Sequence, residues 1–361
     1  MNFLRIEFLA PGLALIMSLI LTPVFKRLAF KLGAVDLPNA RKIHRKAMPL
    51  FGGLAIYLSF WLAALLILFA VGGGEKLWGI FWGGTLILCL GIYDDLRGLS
   101  YKVKFAGQFI AAFLLLIYNI KIEFITLPFQ DMVSLGIFLI VPLTLLWVVG
   151  ITNAVNLIDG VDGLATGVST IAAVVIFALT WGKFPVLIPL LVLTLAGAAL
   201  GFLPYNFAPA RIFLGDAGSL FLGFMLAGFS IMGLTKQATL TTLIIPVLIL
   251  GLPITDTFYA IWRRFRNRRP IFQADNGHIH HRLLGLGLST RQTVMILYFS
   301  SIYFGASALI FDRLPWLNIY FIPVIFLIFI FALRHLKTLG NLLSAFNGYS
   351  YQDEQKREQK R

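Results

Sequence analysis

The sequence predicts an all-α, polytopic membrane helical bundle of about eleven transmembrane helices, with an external N-terminus and a cytoplasmic C-terminus. Of its 361 residues, 59% are hydrophobic and 13% are charged, whereas soluble domains carry about 25% charged residues. The mean hydropathy is +0.87, and the apolar blocks are about 20 residues long, as a helix crossing a bilayer requires. These observations exclude a water-soluble enzyme, a disordered chain and a strand-built barrel, whose segments have roughly 10 residues of alternating polarity.

Apolar blocks bounded by charged residues or by Gly and Pro clusters divide the chain into eleven predicted spans. Lys26, Arg27 and Lys31 follow the first block in place of a small-residue cleavage site, so we expect this block to be a retained span. Cys89 is the single cysteine, which excludes an intramolecular disulfide, and the sequence has no Cys/His spacing typical of a zinc site. The spans are predicted at 5–25, 50–71, 76–93, 104–120, 133–151, 163–181, 184–202, 213–234, 238–262, 292–311 and 316–334.

The basic residues are concentrated on alternate connections, which predicts the orientation. Of the 30 Lys and Arg residues, 24 lie in or beside one set of connections and 6 lie on the other side. The positive-inside rule makes the richer side cytoplasmic. Because this topology explains most of the net charge of +14, we expect no nucleic-acid partner. The prediction is one membrane domain over 1–334 and a partly disordered cytoplasmic tail over 335–361, with cytoplasmic loops at 26–49, 94–103, 152–162, 203–212 and 263–291.

Two adjacent carboxylates end the third predicted span. Asp94 and Asp95 repel each other, so at a membrane boundary they need a metal ion, a phosphate-bound cation or a proton nearby. The alternative is a helix cap beside Arg97 and Lys102.

The second polar stretch, at 152–167, carries Asn153, Asn156, Asp159 and Asp162 without any Lys or Arg. If the fifth span continues as a helix, positions 153, 156 and 159 lie on adjacent turns of one face, and their oxygens converge. Oxygen ligands of this kind suit Mg²⁺ or Mn²⁺. The alternative, a polar turn between two spans, leaves the four carboxylate and amide groups unexplained.

The third stretch surrounds the start of the eighth predicted span. Asp216 follows Gly215, where a metal or an anion would also meet the free backbone N–H groups of a helix N-terminus. Phe213 and Asn206 precede it, and an aromatic ring beside a carboxamide can stack on and hydrogen-bond a nucleobase. For Phe213 the alternative is plain packing, because the chain contains 33 Phe residues.

The fourth stretch is the long basic connection at 262–290. Its clustered histidines and Arg282 favour anion or pyrophosphate recognition, whereas a zinc site would lack a cysteine or a fourth clustered ligand. The first interpretation of the arginines is that they fix the cytoplasmic side of this connection and contact anionic lipid. The histidines are His278, His280 and His281, and the arginines are Arg263, Arg264, Arg266, Arg268 and Arg269.

A second basic stretch, at 41–53, carries His44, Arg45 and Lys46 before the glycine pair at 52–53. Basic side chains next to a backbone without Cβ atoms can hold a phosphate. A positive-inside loop is the alternative.

Oxygen ligands for a divalent cation, a His/Arg patch and an aromatic platform on one side of the membrane fit phosphoryl transfer between a nucleotide and a lipid. Two phosphates must approach each other, and a cation with basic side chains lowers their repulsion. A transporter is the alternative from another class, but its carboxylates would lie near the bilayer midplane on broken helices in repeated halves.

Four motifs make the sequence resemble the polyprenyl-phosphate N-acetylhexosamine-1-phosphate transferases over roughly residues 40–290. They are DD at 94–95, NAVNLIDGVDGL at 153–164, IFLGDAGS at 212–219 and HIHHRLLGLG at 278–287. The resemblance implies transfer of a sugar 1-phosphate from a UDP-sugar to undecaprenyl phosphate with Mg²⁺ or Mn²⁺ and release of UMP. The His motif is similar to that of the UDP-GlcNAc branch, because Ile279 interrupts the three consecutive histidines typical of the UDP-MurNAc-pentapeptide branch.

The resemblance also implies roles for individual residues. Metal coordination falls to Asp216 and Asn156, and catalytic or phosphate-activating roles fall to Asp94 and Asp95, with Asp159 and Asp162 nearby. The expected partners are UDP-GlcNAc, undecaprenyl phosphate and the lipid bilayer of the bacterial inner membrane, and a homodimer and the envelope polymer supplied are left open. Substrate contacts are expected from His44, Lys46, Asn206, Phe213, Arg264, His278, His280, His281 and Arg282, with Phe213 stacking on uracil and Asn206 and Asp162 contacting the nucleotide.

Overall fold

A computed structural model of the chain describes residues 3–38, 46–126, 132–183, 185–234, 244–268, 270 and 277–313. These ranges are mostly helical. The helices are α1 (Phe3–Leu32), α2 (Gly52–Val71), α3 (Glu75–Arg97), α4 (Tyr101–Ile117), α5 (Ile137–Ile158), α6 (Leu164–Thr180), α7 (Leu187–Asn206), α8 (Gly215–Leu234), α9 (Ile244–Ile249), α10 (Gly251–Arg266), α11 (Ile279–Leu284) and α12 (Thr290–Arg313).

The helices make this a multi-pass membrane protein. Within the described ranges, seven helices are long and apolar enough to cross a membrane: α1, α2, α3, α5, α7, α8 and α12. Nine of the predicted spans each overlap one helix. The count of eleven and the orientation stay predictions, because the predicted span 316–334 and the tail 335–361 lie outside the described residues.

The helices reach further into the polar connections than the sequence predicts. α5 continues to Ile158 and α7 to Asn206, so the predicted loops at 152–162 and 203–212 are partly helical. The polar residues of these two stretches therefore stand on helix ends, and their backbone direction is fixed by the membrane-crossing part of the same helix.

The predicted ninth span, 238–262, is not one continuous helix. Its described part consists of α9 and α10, which are separated at Leu250. Pro253 follows the break, and because proline has no N–H, it cannot donate to the carbonyl of Ile249 one turn earlier. The uninterrupted span expected from hydropathy alone is therefore wrong at this point.

Two short antiparallel strand pairs interrupt the helical fold, which the sequence did not predict. β1 (Val35–Asp36) pairs with β2 (Met48–Pro49), with Val35 opposite Pro49. β3 (Phe124–Thr126) pairs with β4 (Met132–Ser134), with Ile125 opposite Val133. Backbone hydrogen bonds extend the first pair to residues 213–214, since Phe213 N donates to Pro49 O at 2.8 Å. The chain before α2 is thereby tied to the chain before α8.

α8 is the central helix of the bundle. In the apolar part of α8, 94% of the residues are buried, whereas the other six candidate spans have 28% to 67% of theirs buried. α8 packs against α2, α3, α5 and α6. Small residues let the neighbouring backbones approach closely, as is common between membrane helices. A Cβ on Gly53 would overlap the backbone of Gly218, and a Cβ on Gly91 would overlap that of Ala217.

We expect the substitution Gly91→Ala to destabilise the bundle, because the new methyl group would push α3 away from α8. Overpacking of this kind costs about 1 to 3 kcal/mol. Gly150→Ala in α5 is the matched control, since a Cβ there meets nothing within 4 Å. The measurement is the midpoint of thermal unfolding in detergent, and equal midpoints for the two variants would contradict the close approach.

Candidate active site

The N-terminus of α8 is capped by a side chain from α3. The backbone N–H groups of Asp216 and Ala217 donate to the two carboxylate oxygens of Asp95, at 2.8 Å and 3.1 Å. Gly215 precedes them at a φ of +72°, and a Cβ on it would come within 2.5 Å of Asp95 Oδ2. The sequence predicts a metal or an anion at this helix end, and in the structure the Asp95 carboxylate accepts the two backbone N–H groups.

Asp94 and Asp216 share one ammonium group. Lys104 of α4 forms an ion pair with both carboxylates, and Asp94 also accepts a hydrogen bond from the backbone N–H of Leu99. In the charge distribution of the sequence, Lys104 counts only as one of the basic residues that set the topology. Lys104 begins the predicted span 104–120, directly after the short loop that starts with the Asp pair. This closeness in sequence is the feature that indicates a contact.

Asn156 joins the same cluster from α5. Its Nδ2 donates to Asp216 Oδ1 and to Ser219 Oγ, each at 2.9 Å. Asn153, one turn earlier, faces α4 and exchanges hydrogen bonds with Gln108. The predicted convergence therefore includes Asn156 and leaves out Asn153.

The turn between α5 and α6 carries the other two predicted carboxylates. Asp162 Oδ2 accepts a hydrogen bond from the backbone N–H of Ala210 at 2.8 Å, so it connects this turn to the chain after α7. Burial raises the pKa of Asp159 well above its ordinary value, and the charges of Asp216, Asp95 and Asp162 raise it further. The carboxylates of α3, α8 and this turn therefore act on one another electrostatically, which gives the cluster a strong demand for positive charge.

The donor set at this cluster fits a hard divalent cation that brings other ligands with it. Among the described residues no group of three His, Cys, Asp or Glu side chains has the arrangement of a metal site. Mg²⁺ commonly binds through one or two protein oxygens, with water and substrate phosphate completing its shell. Asp216 and Asn156 carry oxygens of this type and lie within hydrogen-bond distance of each other.

The predicted nucleotide contacts lie between α7 and α8. Asn206 is 2% exposed, and its carboxamide accepts from Thr166 Oγ1 at 2.8 Å and donates to Ile212 O at 3.1 Å. It thus braces the segment that carries Phe213. Phe213 is partly buried, and its backbone is bonded to Pro49 and Gly52. In the structure Asn206 supports the segment, while its nucleotide contact stays a prediction.

The histidine run is less exposed than an anion-binding patch on the surface would be. His278 Nδ1 lies 2.8 Å from Asp256 Oδ2, and His280 is 2% exposed. Burial first, and then the charge of the neighbouring His281, lower the pKa of His280 to about 3. His280 is therefore neutral at physiological pH, so any contact that it makes with a phosphate would depend on a ring N–H and not on a full charge.

Asp256 of α10 is a residue that the sequence analysis missed. It is the one carboxylate inside the predicted ninth span, and an ionisable residue within a span is by default a candidate for function. The sequence does not show that Asp256 meets the histidines, because they lie more than 20 residues further along the chain.

The remaining predicted residues differ in how far they are buried. Arg264 of α10 is 8% exposed, so it is more buried than a lipid-facing topology residue. Lys46 is exposed just before β2, and His281 and Arg282 are partly buried on α11. His44 and Arg269 lie outside the described residues.

We expect Asp95→Ala to destabilise the protein, because two backbone N–H groups in the interior would lose their acceptor. Leaving buried donors unpaired costs about 1 to 3 kcal/mol. Asp312→Ala is the control, since it removes only the ion pair with Lys183 at the far end of α12, and such pairs contribute about 0 to 1 kcal/mol. The midpoint of thermal unfolding should fall clearly more for Asp95→Ala, and the cap would be unimportant if the two variants unfolded together.

Comparison with known proteins places this geometry in a family. The profile of "Glycosyl transferase family 4" matches residues 77–234, which include the Asp pair, the turn after α5 and Asp216. A Bacillus subtilis (strain 168) protein named "Probable undecaprenyl-phosphate N-acetylglucosaminyl 1-phosphate transferase" is 44% identical over 322 residues, which cover 88% of each chain.

Two further relatives carry different names. The "Decaprenyl-phosphate N-acetylglucosaminephosphotransferase" of Mycobacterium tuberculosis (strain ATCC 25618 / H37Rv) is 35% identical over 332 residues, 82% of this chain and 81% of that protein. A "Phospho-N-acetylmuramoyl-pentapeptide-transferase" of Listeria welshimeri is 32% identical over 292 residues, 76% of this chain and 89% of that protein. The relatives match over most of both chains, and the family profile covers the Asp pair, Asn156 and Asp216, so the protein is a membrane transferase that belongs to glycosyl transferase family 4.

Proposed function

We propose that the protein transfers GlcNAc-1-phosphate from UDP-GlcNAc to undecaprenyl phosphate at the cytoplasmic face of the bacterial inner membrane, with release of UMP. The observation that carries this proposal is the 44% identity with the Bacillus subtilis relative of that name. The convergence of Asp94, Asp95, Asn156 and Asp216 at one helix end supports it. A lipid and a nucleotide can meet at such a site, because it lies at the ends of membrane-crossing helices.

The proposed reaction is a direct displacement at phosphorus. An oxygen of the lipid phosphate attacks the β-phosphorus of UDP-GlcNAc, a new P–O bond forms, and the bond between the β-phosphorus and UMP breaks. A phosphate monoester has a second pKa near 6, so the lipid phosphate is largely dianionic at neutral pH and orientation matters more than proton removal. Asp94 or Asp95 would orient that phosphate. Both oxygens of Asp95 bind the backbone at the N-terminus of α8, and those of Asp94 bind the Leu99 N–H and the Lys104 ammonium group.

Asp216 and Asn156 would hold Mg²⁺ or Mn²⁺ in this proposal. The cation would supply positive charge against the two pyrophosphate phosphates. Lys104 already places one ammonium group between Asp94 and Asp216, so this side chain would hold the two carboxylates in position. Asp159 and Asp162 would act from the turn after α5.

The proposed substrate contacts surround the carboxylate cluster. Phe213 would stack on uracil, with Asn206 and Asp162 beside the nucleotide, and the histidine run would hold the phosphate and the sugar. The remaining proposed contacts come from His44, Lys46, Arg264 and Arg282.

The donor is tested with purified protein, one polyprenyl phosphate and three sugars: UDP-GlcNAc, UDP-GalNAc and UDP-MurNAc-pentapeptide. We expect UMP release with UDP-GlcNAc to exceed release with either of the others by at least tenfold. Preference for the pentapeptide substrate would replace the proposal with the function named for the Listeria relative. Absence of UMP release with all three would overturn both.

Metal dependence is tested with Asp216→Asn and Asn156→Ala. We expect each variant to lose at least a hundredfold in turnover at limiting Mg²⁺, with partial recovery at high Mg²⁺, because each removes one oxygen ligand. Asn153→Ala is the matched control on α5, since Asn153 faces Gln108 and not Asp216. Full wild-type turnover in excess EDTA would contradict the metal site.

Orientation is tested by cysteine labelling in intact cells, starting from Cys89→Ser because Cys89 is exposed. The charge distribution predicts that cysteines at Ser100 and Ser289 resist an impermeant thiol reagent. A cysteine at Ser134, on the predicted external side, should react. If Ser100→Cys and Ser289→Cys were labelled and Ser134→Cys were protected, the orientation would be the opposite of the predicted one.

A further inference from the structure

Asp256 connects α10 to two consecutive residues at the start of α11. Its Oδ2 lies 2.8 Å from His278 Nδ1, and its Oδ1 accepts the backbone N–H of Ile279 at 2.9 Å. Asp256 is 2% exposed. A carboxylate only accepts hydrogen bonds, so His278 must carry a hydrogen on Nδ1, which leaves Nε2 as the free ring nitrogen of the neutral form.

One face of α10 holds the whole segment 277–282, called here the histidine segment. Asp256, Tyr259 and Arg263 are spaced by three and four residues, so they lie on one side of the helix. Arg263 donates to Gly277 O at 2.7 Å. The ring of Tyr259 lies under two guanidinium groups, Arg263 at 5.5 Å and Arg282 at 5.6 Å from its centroid. The segment is thus attached at its beginning, at the start of α11 and at Arg282.

The other side of the histidine segment contacts the acidic turn after α5. A Cβ on Gly160 would come within 2.5 Å of His280 Nε2, so the imidazole ring packs directly on the backbone between Asp159 and Asp162. His280 Nε2 is buried and finds no hydrogen-bond partner among the described residues. The rings of His278 and His280 are parallel, with centroids 5.7 Å apart. The position of His278 therefore influences how His280 meets the acidic turn.

We propose that Asp256 is a positioning residue for the transfer reaction: it fixes the place and the tautomer of His278 and so holds the histidine segment against the acidic turn. This inference rests on the proposed function. Asp256 reaches no reacting atom itself, and it acts through His278 and the backbone of Ile279.

The kinetic test compares Asp256→Asn, His278→Ala and the double variant with the wild type. His278 and Ile279 bind different oxygens of Asp256, and Asn replaces one of these oxygens with an NH2 group that cannot accept a hydrogen bond. We therefore expect Asp256→Asn to lower kcat/KM for UDP-GlcNAc at least tenfold, with the KM for polyprenyl phosphate within twofold. The double variant should be no more than twofold worse than His278→Ala, because the two side chains act as one unit. Asp312→Asn, at the far end of α12, is the control and should stay within twofold of wild type.

The second readout is the ring nitrogen spectrum of protein labelled with [¹⁵N]histidine, which is tractable because the chain has 5 histidines. In the wild type, His278 should carry its hydrogen on Nδ1, and Asp256→Asn should give a mixture of tautomers. The wild-type spectrum requires no turnover and no variant protein. It therefore separates failure of this inference from failure of the proposed function.

Three results would overturn the role of Asp256. They are a wild-type His278 with its hydrogen on Nε2, an Asp256→Asn variant with unchanged kcat/KM, and losses that multiply in the double variant, as expected of a purely structural residue.

Discussion

The arrangement of the site depends on one constraint, the need to satisfy the backbone N–H groups at the buried N-terminus of α8. These donors are buried between packed helices, and leaving buried donors unpaired costs about 1 to 3 kcal/mol. Asp95 meets the requirement from α3, so the two helices are fixed in register at that end. Since Asp94 is the preceding residue and Asp216 the first donor, the cap also brings their carboxylates to the shared ammonium of Lys104.

The close packing of α8 and the polar cluster reinforce each other. Gly53 and Gly91 allow α2 and α3 to approach α8 at its first turns, and this approach places Asp95 within reach of the helix end. Asn156 adds α5 through Asp216 and Ser219. The cluster is therefore built on four rigid helices, and its precision does not depend on a long loop. The histidine segment differs, because side chains of α10 hold it in place.

The sequence predicts much of this arrangement and fails in ways that have physical reasons. Hydropathy finds the helices, because burial in lipid requires apolar blocks of a set length. The unusual carboxylates and carboxamides at the ends of the predicted spans point to Asp95, Asn156 and Asp216. Hydropathy does not see the break at Leu250, which depends on the missing N–H of Pro253. Lys104 is missed because a charge count assigns it to topology, whereas its role depends on which residues α4 faces. The bracing by Asn206 depends on contacts with α6 that no spacing in its own stretch indicates.

The burial of α8 also orders the local opening reactions of the protein. Amide hydrogens in a helix that is surrounded on all sides exchange with solvent only when large parts of a structure separate, whereas short elements held by a few side chains open alone at much lower free energy. α8 belongs to the first class and the six-residue α11 to the second. Deuterium should therefore enter the backbone amides of α11 long before it enters those in the first turns of α8. The exchange lifetimes of the amides in the acidic half of the site and in its histidine half should differ by orders of magnitude.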